Sequence, residues 1–227
     1  MAPDQRSVAL LMALRKQGIT DQRVLEAIEK TPRHAFVDEP FISSAYEDSA
    51  LPIACGQTIS QPYIVAYMTE ALEIGPKMRV LELGTGSGYQ AAVLSPLCRM
   101  VYTVERHRPL LDTARKRFES LKLHNVVTRY GDGLKGWEEQ APFDRILLSA
   151  SVPEVPESLT KQLKPGGILI APLAKRASSE SIYQYLTKMI RGEDGLTEQE
   201  LIPVVFVPMV PGLPLEARKA DGKDGFG

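Results

Sequence analysis

Apolar residues recur at helical spacing early in the chain, at Val8, Leu11 and Leu14 and again at Val24, Leu25 and Ile28 beyond Gly18. Thr31-Pro32 closes the second run, because a residue before proline is pushed out of the helical region. Over 33–57 no period is sustained, and Pro40, Pro52 and Gly56 interrupt the chain. Irregular stretches of this length inside a compact domain are commonly functional or disordered. Ser60-Gln61-Pro62 reads as a helix start, with the Ser60 hydroxyl at the N-cap and proline in the first turn. Ile64, Met68, Ala71 and Leu72 then supply an apolar face as far as Gly75-Pro76.

The middle of the chain alternates. Short β-type apolar runs at 78–83, 100–104, 126–130, 145–149 and 167–171 are interleaved with helical patterns at 89–97 and 109–123 and a short one at 159–163. That order predicts an α/β fold with a mostly parallel, doubly wound sheet. The runs 182–190 and 201–209 flank Gly192-Glu193-Asp194-Gly195, turn chemistry for a C-terminal antiparallel hairpin. The expected organisation is an N-terminal helical extension with a functional loop (1–62), an α/β core (63–210) and a flexible tail (211–227).

Composition narrows the function. The 227 residues carry 27 Lys+Arg against 28 Asp+Glu, a formal net charge of -1. Such a balance offers no excess of cations to displace counterions from nucleic acid or to hold an anionic membrane. A chain of this length buries roughly 70% of its unfolded surface, so it folds without staples. Cys55 and Cys98 alone build neither a disulfide framework nor a four-ligand zinc site. The longest apolar run, 8–14, is too short to span a bilayer and lacks the flanks of a secretory signal. We expect a soluble protein of the reducing cytoplasm, acting as a monomer, with no metal.

The segment Val80-Leu81-Glu82-Leu83-Gly84-Thr85-Gly86-Ser87-Gly88 is the most informative. A strand entering glycines and then a helix lets the backbone approach a ligand, with free amides at the helix start. Dinucleotide folds use G-x-G-x-x-G to seat a pyrophosphate. Here the spacing is G-x-G-x-G, and Glu82 precedes it, which suits a cationic ligand better than a phosphate. Glu105 ends the next strand about 20 residues beyond Gly84, where an acid meets ribose hydroxyls. Gly131-Asp132-Gly133 follows the strand after that, placed to read a nucleobase edge. Glu82, Glu105 and Asp132 at three successive strand ends point to S-adenosylmethionine, whose sulfonium and amino groups are cationic and which has no phosphate.

Several strings resemble the bacterial protein-L-isoaspartate O-methyltransferase family: Leu51-Pro52-Ile53, Gly56-Gln57-Thr58-Ile59-Ser60-Gln61-Pro62, Pro32-Arg33-His34 with Phe36-Val37, and Ser87-Gly88-Tyr89-Gln90. Further matches are Val104-Glu105-Arg106, Gly136-Trp137, Ala141-Pro142-Phe143-Asp144 and Phe206-Val207-Pro208, so the similarity runs over about 31–209. The resemblance implies a Rossmann-like S-adenosylmethionine methyltransferase fold. It also implies methyl transfer to the free α-carboxylate of L-isoaspartyl residues in damaged proteins and peptides. The ester then collapses to a succinimide that hydrolyses in part to aspartate. By the same resemblance Ser60 is the active-site residue, with Thr58 and Gln61 beside it on the substrate. The cofactor set is Glu82, Gly84, Thr85, Gly86, Gly88, Glu105, Arg106, Asp132 and Gly133.

An α-carboxylate is already ionised at pH 7, so this chemistry needs no general base. His34, His107 and His124 read as surface or structural, Asp144 as a structural acid at a strand start, and Trp137 as core. Ala54-Cys55 stands where many relatives carry glycine first, and Ser149-Ala150-Ser151 replaces a more alanine-rich run. Two other readings share the pattern: a methyltransferase of the same fold acting on another carboxylate or small molecule, and a non-catalytic cofactor-binding module. A nicotinamide dehydrogenase is disfavoured by the short glycine spacing.

Overall fold

The computed structural model describes residues 5–176, 182–193 and 195–214. Residues 1–4, Asp194 of the expected turn and 215–227 of the expected tail lie outside the described residues. Two helices come first, α1 (Gln5–Lys16) and α2 (Gln22–Lys30). Leu14, Val24, Leu25 and Ile28 are buried as their spacing requires, while Val8 stays exposed. Asp21 caps α2 by accepting the Arg23 amide, and Thr31 leaves the helix extended ahead of Pro32.

The irregular stretch ends in a small hairpin of β1 (Leu51–Ile53) and β2 (Gln57–Ile59), with Leu51 opposite Ile59. It leads into α3 (Pro62–Ala71). The cap position of α3 is Gln61, and its side chain makes no capping bond. Ser60 is therefore not the N-cap that its spacing suggested. Asp48 of the preceding loop supplies the missing acceptor, taking the Tyr63 amide at 2.8 Å. Along α3, Met68 and Leu72 are buried as expected, joined by Val65 and Ala66.

The remaining elements are β3 (Arg79–Leu83), α4 (Tyr89–Leu94), β4 (Met100–Glu105), α5 (Arg108–Ser120), β5 (Val126–Tyr130), β6 (Phe143–Leu148), α6 (Glu157–Thr160), β7 (Leu163–Arg176), β8 (Ile182–Arg191) and β9 (Leu196–Val204). They form a seven-stranded sheet in the order β5-β4-β3-β6-β7-β8-β9. The pairs from β5 to β7 are parallel, and β7-β8 and β8-β9 are antiparallel. Side chains alternate between two cores. Val80, Val101 and Leu147 join the N-terminal helices and α4 on one face. Leu81, Tyr102 and Ile146 meet Leu159 of α6 on the other. The N-terminal helices thus share a core with the sheet.

Several boundaries differ from the periodicity, most clearly at α6 and β9. The short helix ends at Thr160, and Leu163 already begins β7. The last strand is 196–204 rather than 201–209. Its first half, Thr197-Glu198-Gln199-Glu200, is polar and exposed because β9 is a sheet edge, where charge discourages further pairing. After Val204 the chain leaves the sheet, and Ser151 receives it by bonds to Val207 and Met209.

Candidate active site

The strand order places β3 between β4 and β6, so the chain crosses in opposite directions from this point and opens a crevice beyond the carboxyl ends. Leu83 is level with Val104 and Leu148, which brings the three strand tips to one height. The glycine turn follows. Gly86 adopts a φ of +53°, and its amide points at Glu105 Oε2, 2.8 Å away. Gly88 adopts a φ of +90°, and a Cβ there would lie 2.8 Å from the Phe118 ring on α5.

A cavity of about 550 Å³ lies over these tips, within the range of small-molecule sites. Gly84, Thr85, Gly86, Glu105, Arg106 and Gly133 line it together with Thr58, Ser60 and Gln61. Nine of the residues singled out in the sequence therefore meet in one place. Glu105 is 5% exposed, and its second oxygen accepts the His107 amide at 2.8 Å. Arg106 lines the cavity while its Nε–H bonds the Gly212 carbonyl. Gln61 donates its side-chain amide to Asp48, and the Ser60 carbonyl accepts from Arg33 at 2.8 Å.

Glu82, Gly88 and Asp132 are not in the cavity lining. Glu82 is 0% exposed beneath the turn. Its Oε2 accepts from the Thr103 hydroxyl at 2.5 Å, that hydroxyl lies 2.6 Å from the Thr85 hydroxyl, and Oε1 has no partner. Burial pushes its pKa up to about 8; the Thr103 bond opposes this and the Glu105 charge adds to it. Glu82 thus reaches the cavity lining only through the Thr103 and Thr85 hydroxyls, of which Thr85 lines the cavity. Gly88 packs against the Phe118 ring, which leaves no room for a Cβ. Asp132 accepts the Leu134 amide at 3.0 Å and the Gly212 amide at 2.7 Å, and it faces a separate pocket of about 360 Å³ with Lys135 and Leu213. In this arrangement it anchors the chain after Pro211.

Other lining residues carried no signal in the periodicity. His107, Ser149 and Ala150 follow strand ends, and 203–210 forms a wall through Phe206 and Met209. The Gln184 side chain holds that wall by bonding both the amide and the carbonyl of Phe206. His34 pairs with Tyr46, and Asp144 binds Lys164 and the Arg79 amide, both away from the cavity. Burial raises the Cys55 thiol pKa and the Glu105 charge reinforces the shift, which disfavours a reactive thiolate. Among the described residues no group of three His, Cys, Asp or Glu side chains is arranged to hold a metal ion. Nor, among them, is any helix long and apolar enough to cross a membrane.

The profile of the family described as Protein-L-isoaspartate(D-aspartate) O-methyltransferase matches residues 5–213. The chain belongs to that family. A protein-L-isoaspartate O-methyltransferase of Parvibaculum lavamentivorans is 56% identical over 214 residues, covering 94% of this chain and 96% of the relative. One of Paramagnetospirillum magneticum is 53% identical over 213 residues, covering 94% and 98%. A solved protein-L-isoaspartate O-methyltransferase superposes with a TM-score of 0.82 at 31% identity, over 94% of this chain and 69% of its own. A Plasmodium falciparum structure described as a protein of this family in complex with S-adenosyl-L-homocysteine has a TM-score of 0.75 at 25% identity, over 89% and 97%. The isoaspartate methyltransferase match therefore includes the N-terminal helices, the β1–β2 hairpin and the 203–210 wall, as well as the nucleotide-type sheet.

Proposed function

We propose that this protein transfers the methyl group of S-adenosylmethionine to the free α-carboxylate of L-isoaspartyl residues in damaged proteins and peptides. One observation carries the reading: a single cavity joins the glycine turn and Glu105 to the Thr58-Ile59-Ser60-Gln61 string. S-adenosylmethionine suits this lining. Gly84 and Gly86 leave the backbone open, Glu105 keeps lone pairs for ribose hydroxyls beyond its two amide bonds, and Val104 and Met209 supply apolar contact. When bound, S-adenosylmethionine supplies the electrophilic methyl carbon, and S-adenosylhomocysteine is left.

The protein's own contribution is alignment and exclusion of water. Ser60 donates a hydrogen bond from its hydroxyl to one oxygen of the substrate carboxylate, leaving the other oxygen free to attack; it is not a nucleophile. Thr58 and Gln61 flank it on the substrate side, and the side chain of Gln61 is held by Asp48. The acceptor is an anion that needs no deprotonation, so the transfer calls for no general base. Charge disperses as anion meets cation, and water favours the separated ions, so walls of Ile64, Val204 and Phe206 lower the barrier by excluding it.

The enzyme works as a single chain in the reducing cytoplasm. Its two cysteines, Cys55 and Cys98, are free, which suits a reducing compartment. The test is labelled methyl transfer to an isoaspartyl peptide beside its aspartyl twin. Base-labile label on the isoaspartyl peptide alone is expected. Equal label on both peptides refutes the substrate assignment, and failure to bind S-adenosylhomocysteine in calorimetry refutes the cofactor assignment.

A further inference from the structure

Arg33 is 0% exposed, and its guanidinium lies over the Tyr89 ring, 4.8 Å from the centroid. Its Nη2 donates to the carbonyls of Ser49, at 3.4 Å, and Ser60, at 2.8 Å. Its Nε and Nη1 are buried without partners. Ser49 and Ser60 are the two feet of the β1–β2 hairpin, which opens at Leu51 and closes at Ile59. Next to these feet Asp48 makes a second clip, accepting the Tyr63 amide at 2.8 Å and the Gln61 side-chain amide at 3.0 Å.

We infer that Arg33 is a positioning residue for the methyl transfer: its buried guanidinium clips the base of the hairpin and thereby sets where Ser60 stands in the cavity. A fully buried cation with two donor nitrogens lacking hydrogen-bond partners is a poor way to stabilise a core, because an apolar side chain of similar length fills the space without the desolvation penalty. Burial accordingly lowers the pKa of Arg33, opposed by Tyr89 and by the charge of Asp48. What an apolar side chain cannot do is donate to two carbonyls 11 positions apart at once, one of them that of the residue presenting the substrate. Misplacement of a reacting group by about 1 Å can cost on the order of 100-fold in rate.

This inference rests on the proposed reaction, and its test separates the two. The variants are Arg33→Met, which keeps the bulk and removes every donor, and Arg33→Lys, which restores a single donor near the Ser60 carbonyl. Thermal unfolding, S-adenosylhomocysteine calorimetry, steady-state kinetics on an isoaspartyl peptide and hydrogen exchange of 50–61 are measured on each full-length protein. For Arg33→Met the melting temperature is expected to hold or rise, and the S-adenosylhomocysteine affinity to stay within about twofold. Its kcat/KM should fall roughly 10- to 100-fold, with faster exchange over 50–61. Arg33→Lys should recover part of both the rate and the protection. Parental kcat/KM and exchange in Arg33→Met overturn the role. So does a loss of rate that only follows a lower melting temperature. Should Arg33→Met not fold, Arg33→Lys decides by the same readouts: intermediate rate and protection support the role, and parental values of both overturn it. A parental protein that labels no isoaspartyl peptide overturns the reaction itself, while the exchange comparison still judges the clip.

Discussion

Glu105 Oε2 accepts the Gly86 amide at 2.8 Å, so the acid at the tip of β4 holds the turn that leaves β3. Its other oxygen holds the His107 amide at the start of α5. One carboxylate therefore fixes two backbone segments of the cavity lining while facing the cavity itself.

Replacing Glu105 by Gln is consequently not conservative. One arm of the amide becomes an N–H donor, and it must face either the Gly86 or the His107 amide, both donors. Hydrogen bonds to a charged partner contribute about 1.5–3 kcal/mol each, so S-adenosylhomocysteine affinity should fall roughly 10- to 100-fold. Calorimetry on Glu105→Gln and Glu105→Ala checks this. Affinity within twofold of the parent in both variants would remove Glu105 from the binding surface.

Gly88 tests a claim about packing. Its left-handed φ and the 2.8 Å approach of Phe118 to a virtual Cβ make Gly88→Ala strained twice over. A loss of about 2–4 kcal/mol is expected, or roughly 5–15 °C in melting temperature. The pairing is specific, so Phe118→Leu in the same chain should relieve part of the strain. In a double-mutant cycle the pair should cost less than the sum of the singles. Strict additivity would mean that the ring and the glycine are not coupled.

The sheet was legible because its strands alternate two cores: Val80 against Leu81, Val101 against Tyr102 and Leu147 against Ile146 each obey a period of two. The glycine turn and Glu105 were legible because they sit at strand ends, where backbone geometry dictates function. What escaped the periodicity depends on contacts remote in sequence. Asp48 caps α3 from 15 residues upstream, and Gln184 clips Phe206 across 22; neither distance leaves a period to read. The start of the polar edge strand β9 was not assigned to the strand expected at 201–209, because exposure removed the alternation that marks a strand. Glu82 was singled out for its closeness to the turn in sequence, but its full burial, on the face shared with Val80, depends on packing that spacing does not show.

Glu82 makes stability depend on pH in a direction opposite to that of a salt-bridged acid. Its folded pKa of about 8 lies above its ordinary 4.5, so between these values the native state binds the extra proton. Stability is then fully retained below about 4.5 and declines as pH rises towards 8, by up to a few kcal/mol. Glu82→Gln keeps the shape and removes the titration, so its stability should be flat over that window where the parent's falls. Denaturant unfolding of both proteins from pH 5 to 8.5 measures the difference. Parallel curves would show that Glu82 ionises in the fold without cost.

Ser60→Ala isolates the step assigned to the β2–α3 turn. The hydroxyl is not the cap of α3, since Gln61 occupies that position and Asp48 takes the Tyr63 amide, so its removal should leave the melting temperature nearly unchanged. Its proposed partner is the substrate carboxylate and not the cofactor, so S-adenosylhomocysteine should bind within about twofold of the parental affinity. The lost interaction is one hydrogen bond to a carboxylate, and kcat on an isoaspartyl peptide should drop about 10- to 100-fold. Ser60→Thr should recover part of the rate, because its hydroxyl can still reach the acceptor while its methyl crowds the wall. Turnover of Ser60→Ala equal to the parent's would transfer the orienting role to Thr58 or Gln61.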